Sequence, residues 1–106
     1  MTTFDDKEKA FENKFAHDEE LNFKANARRN KLLGLWAADK LHKKGPDAEA
    51  YAKEVVAADF EKPGHEDVVE KVVADFTKAG LPITAKEIRE QMAALLPIAR
   101  QQIMSE

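Results

Sequence analysis

LLGLWAADKL, residues 32–41, puts apolar side chains on most sides of a helix rather than in one narrow stripe. A helix apolar nearly all round belongs at the centre of a core. Trp36, the only tryptophan, brings the largest side chain to that centre. Gly34 has no side chain, so a neighbouring helix can pass close by at that point. The sequence C-terminal to this stretch reads as cover for it. The sequence N-terminal to it has a different character.

On the C-terminal side, Lys43 and Lys44 suit the negative end of the central helix, and that helix is expected to run to about Lys44. Gly45 is its natural stop, and Pro46 cannot continue it. Asp47 starts a second helix, in which Ala48, Tyr51, Ala52, Val55, Val56 and Phe60 keep helical spacing until Pro63-Gly64 breaks it. Glu66 and Asp67 open a third. Val68, Val69, Val72, Val73, Phe76 and Ala79 form its apolar face, and the four-residue repeat favours a helix over a strand despite the valines. Gly80 ends it and Leu81-Pro82 turns the chain. Thr84 and Glu87 form a capping box for a fourth helix, whose buried face is Ile88, Met92, Leu95, Ala99 and Ile103. Pro97 falls inside that pattern and predicts a kink or an early stop near Leu96.

On the N-terminal side, Asp18 can cap the central helix, and Glu19 and Glu20 suit its positive end, unless the preceding segment and the central helix form one long helix. Before it, Thr3 and Asp6 resemble a capping box, and Phe4, Phe11 and Phe15 recur at spacings that put them on one side of a helix. This stripe is narrow, and so short a helix is marginal in water. The chain therefore reads as all-α, a four-helix bundle over 18–106 with a mobile, partly helical N-terminal arm over 1–17.

The totals agree with a single domain. There are 106 residues, 43% hydrophobic and 35% charged, with no cysteine. That excludes a disulfide framework and a thiolate nucleophile or ligand. No apolar run approaches the roughly 20 residues of a membrane span. The acidic start is unlike a signal or transit peptide, and a cytoplasmic location is expected. The net charge of −3 argues against nucleic acid, but charge is unevenly spread. Residues 1–20 hold seven acids and three bases, residues 21–44 seven bases and one acid, and the remainder twelve acids and seven bases. A basic helix thus lies between acidic segments.

Catalytic chemistry is hard to assemble. The only serine is Ser105, and the four glycines cannot form a phosphate-cradling loop. His17, His42 and His65 lie far apart near predicted helix ends, with no metal-ligand pair. An enzyme, a metal site and a cofactor are therefore not expected. Two features remain. The phenylalanine stripe either packs on the chain's own bundle or anchors in a partner's groove. Lys24, Arg28 and Lys31, with Arg29 beside them, form either a solvated basic face or a surface over residues 24–31 for an acidic partner or a nucleotide. His17, beside Asp18, Glu19 and Glu20, reads either as an exposed junction histidine or as a pH sensor.

The sequence also resembles a known family. F-D-D-K-E at 4–8, K-F-A-H-D at 14–18, E-L-N-F-K-A at 20–25 and A-R-R-N-K-L-L-G-L-W-A-A at 27–38 are similar to the ζ-subunit family of bacterial ATPase inhibitors. V-V-x-x-D-F at 55–60 and Pro63-Gly64 extend the likeness more loosely. The resemblance implies a non-catalytic four-helix bundle that blocks ATP hydrolysis by the F-type ATP synthase. It implies an arm that inserts at an α/β catalytic interface of the head and obstructs the central stalk, with the α, β and γ subunits as partners. Carried onto this sequence, the inhibitory segment spans about Thr2 to Glu19. Phe4, Phe11 and Phe15 are its anchors, and Asp5, Lys7, Glu8 and Lys14 its polar contacts. The implied location is cytoplasmic, at the membrane-bound synthase, with no membrane insertion. Weak nucleotide binding stays open.

Overall fold

The computed structural model describes residues 3–59 and 65–106, with side chains from Glu19 onward. Four helices follow one another: α1 (Thr3–Lys40), α2 (Pro46–Ala58), α3 (Glu66–Lys78) and α4 (Ala85–Met104). No strand occurs among the described residues. α1 is the long central element and packs mainly on α2 and α4, while α3 bridges α2 and α4. The bundle read from the sequence is the fold.

The core forms where the central stretch predicted it. Leu33, Ala37 and Ala38 of α1 are fully buried with Val55 of α2, Val68, Val72 and Phe76 of α3, and Ile88 of α4. Each large side chain among them contributes about 1.5–3 kcal/mol by leaving water. Trp36 is half-buried rather than central, and meets the Phe76 ring edge-on at 5.8 Å. α2 crosses α1 at Gly34, where an added Cβ would stand 2.6 Å from the Ala52 Cα. The missing side chain is what lets the two backbones approach. Val73 is half-buried and Ala79 exposed, so the apolar face of α3 is narrower than its sequence suggests.

Several boundaries differ from the sequence reading. No helix boundary falls at Asp18, because α1 is continuous from Thr3. Nothing interrupts it, since the first glycine is Gly34 and the first proline Pro46. α1 stops at Lys40 rather than Lys44. His42 takes the left-handed conformation, φ 61°. Its N–H donates to the Asp39 carbonyl at 3.1 Å, and that of Lys43 to the Ala38 carbonyl at 2.9 Å. This paired closure usually employs glycine. Gly80 makes the same closure after α3, with Leu81 N–H on the Phe76 carbonyl at 2.9 Å. Gly45 instead precedes α2, and Pro46 opens that helix, where its missing N–H costs nothing. Phe60 and the Pro63-Gly64 turn lie outside the described residues. Thr84 caps α4, its hydroxyl oxygen accepting from the Glu87 N–H at 3.2 Å. α4 does not stop near Leu96 but runs through Pro97 to Met104. Pro97 and Ala93, whose carbonyl loses its donor, are both exposed, so water can serve that carbonyl.

Candidate interaction surface on the first helix

α1 carries both groups of residues singled out in the sequence. Phe4, Asp5, Lys7, Glu8, Phe11, Lys14 and Phe15 lie on its first turns, and their side chains, like that of His17, lie outside the described residues.

The basic group divides. Lys24, Arg28 and Lys31 share a face by spacing, and all three differ in what they meet. Lys24 pairs with Glu20 at 3.1 Å, both exposed. Arg28 donates to Gln102 Oε1 at 3.0 Å and to the Glu106 carboxylate. Lys31 is exposed and meets no partner among the described residues. Arg29 does not belong to this face. It is 5% exposed and turned into the bundle. The reason is periodicity: Ala25, Arg29, Leu33 and Ala37 recur every four residues, and all four are buried. Reading the charge before the spacing hides this.

Arg29 anchors a polar network between α1 and the α2–α3 connection. Its Nε and Nη2 donate to Asn30 Oδ1 at 3.2 and 3.0 Å. Nη2 also lies 3.0 Å from His65 Nδ1, which lies 3.0 Å from Asp59 Oδ1. That ring nitrogen can accept from Arg29 or donate to Asp59, but not both at once. Burial lowers the Arg29 guanidinium from its ordinary value, and the Asp59 carboxylate offsets part of that. A buried arginine so held is a structural tie, and removing one partner would leave a costly unpaired charge.

A second polar group joins α2 to α3. The Tyr51 hydroxyl donates to Asp75 Oδ2 at 2.8 Å, and Lys71 reaches the same oxygen at 3.0 Å. Burial, with the bond to Asp75, pushes the Tyr51 hydroxyl well above its ordinary value. Lys71 and Lys43 lie 5.2 and 5.9 Å from the centre of the Tyr51 ring. These contacts fasten α2 to α3. Among the described residues, no group of His, Asp and Glu could hold a metal ion, and no helix is long and apolar enough to cross a membrane.

The sequence reading did not anticipate the tie between α1 and the end of α4. Arg100 donates to Asn22 Oδ1 at 2.6 Å. Leu21, Ile103 and Met104, with Glu20, Lys24 and Glu106, line a cleft of about 340 Å³ beside it. These partners lie nearly eighty positions apart in sequence, and no local pattern announces them.

A family model described as ATPase inhibitor subunit zeta matches residues 1–102. A structure solved by solution NMR is similar at 48% identity and a TM-score of 0.71, covering 80% of this chain and 96% of that one. No curated protein matches the chain.

Proposed function

This chain belongs to the ATPase inhibitor subunit zeta family, and on that premise we propose that it inhibits ATP hydrolysis by the F-type ATP synthase through its N-terminal segment. An inhibitor subunit is a regulatory component that acts by binding an ATPase. In this reading residues 1–17 form the inhibitory arm and residues 18–106 the bundle that carries it. The arm enters an α/β catalytic interface of the head and obstructs rotation of the central stalk in the hydrolytic direction. Phe4, Phe11 and Phe15 anchor it in an apolar groove, and Asp5, Lys7, Glu8 and Lys14 make polar contacts at the rim. The protein then acts in the cytoplasm, at the membrane-bound enzyme.

The observation that carries the proposal is the family match over residues 1–102, which includes the whole arm. Physical reasoning supports the mode. Stopping a rotary motor needs occupancy of one interface and no chemistry. A segment that must be ordered on binding spends part of its contact energy on that ordering, so its attachment stays reversible.

The alternative, a basic helix over 24–31 that meets an acidic partner or a nucleotide, has less to stand on. Arg29 is buried, and Lys24 and Arg28 already face carboxylates of the chain itself. The deciding experiment is a photo-crosslinker placed at Phe15 and, separately, at Lys31, in protein added to a purified cognate synthase during ATP hydrolysis. Adducts to the α or β subunit from position 15 are expected. Adducts from position 31 alone would move the contact to the basic helix and overturn the arm.

A further inference from the structure

We infer that the last two turns of α4 clamp α1 just beyond the arm and thereby set the direction and helicity with which the arm is presented. This rests on the reading of residues 1–17 as the inhibitory segment. Three side-chain bonds tie α1 to the end of α4 and the residues just after it: Arg100 to Asn22 at 2.6 Å, Arg28 to Gln102, and Arg28 to Glu106 two residues beyond the helix. Beside them, Leu21 and Ile103 line the same cleft between the two helices. The clamp closes the end of the buried α1–α4 seam at Ala25 and Ala99, beyond the largest fully buried side chains of α1, Asn30 and Leu33.

The physical argument concerns helix formation. An isolated helix of about seventeen residues must pay for a nucleus, but residues added to a helix already fixed at its C-terminal side join by propagation alone. Fixing residues 21–28 against α4 supplies that fixed end. It also sets the axis along which the arm leaves the bundle, and a pre-set direction reduces the freedom lost when the arm docks. Each exposed bond alone is weak. Three bonds and the apolar side chains lining the cleft, spread over two turns of α1, act together, which gives Arg28, Arg100 and Ile103 a role as positioning residues. None of them needs to touch the partner.

The test uses the full chain carrying Arg28→Ala and Arg100→Ala together, with Arg28→Glu/Glu106→Arg as a charge-swapped companion. Amide hydrogen exchange is read at residues 20–27 and at 33–38, and inhibition of ATP hydrolysis is titrated in parallel. The double alanine variant should exchange about tenfold faster at 20–27 with no change at 33–38, and should inhibit about tenfold more weakly. The swapped pair should recover part of both losses. Unchanged exchange at 20–27 would overturn the clamp. Faster exchange with undiminished inhibition would overturn its positioning role. Failure of the unaltered protein to inhibit would instead refute the inhibitory reading, and the exchange result would still decide the clamp.

Discussion

At Gly34 an alanine would gain about 1 kcal/mol of helix propensity. It would also place its methyl group 2.6 Å from the Ala52 Cα. That neighbour is backbone and cannot turn aside, so the overpacking cost of about 1–3 kcal/mol or more wins. Gly34→Ala should therefore lower stability by up to about 2 kcal/mol in urea unfolding, net of those two effects. Tyr51 offers a test by pH. Its folded hydroxyl holds its proton above the ordinary value of 10.0, so the unfolded chain loses that proton first. The stabilisation is complete below pH 10 and is lost as pH rises beyond it. Unfolding of the unaltered protein should become easier above pH 10, and Tyr51→Phe should flatten that alkaline decline. An equal decline in both proteins would show that burial, with the Asp75 bond, does not hold the proton on Tyr51. The phenylalanine should also cost about 1 kcal/mol at neutral pH through the lost hydrogen bond.

At the scale of the elements, the sequence was legible where local chemistry punctuates it. Thr84 with Glu87, Gly80, and the acidic start of α3 mark boundaries because caps and left-handed residues are local requirements. Boundaries went unread where an ordinary residue took an unusual role. His42 adopts the left-handed closure that Gly45 was expected to make. Asp18, a good cap, sits in a run with nothing to stop the helix before it. Arg29 was legible in spacing and obscured by its charge. The contacts of α4 with Asn22 and Arg28 were not legible at all, because only the folded bundle brings them together. Pro97 shows tertiary packing overriding a local rule: Ile88, Met92 and Ala99 bury one face of α4 on both sides of it. The cost of the proline is still present. Pro97→Ala should restore the missing donor and raise stability by about 1–3 kcal/mol. A lower melting temperature would mean that the packing of α4 depends on the proline.

At the scale of the whole molecule, the buried side chains among the described residues lie between Ala25 and Ala99. The proposed division into arm and bundle implies that residues 1–17 add nothing to that core. Deleting them should leave the melting temperature within a few degrees of the unaltered protein, since surface changes of about 0.5 kcal/mol move it little. In the proposed reading, the arm and the body divide one long helix between two tasks, attachment and presentation. The most direct test is ATP hydrolysis by a purified cognate synthase head, titrated with the full chain and with the chain lacking residues 1–17. The account predicts saturable inhibition by the full chain and none by the shortened one, which remains folded. Equal inhibition by both would contradict the arm, and inhibition by neither would contradict the proposed function itself.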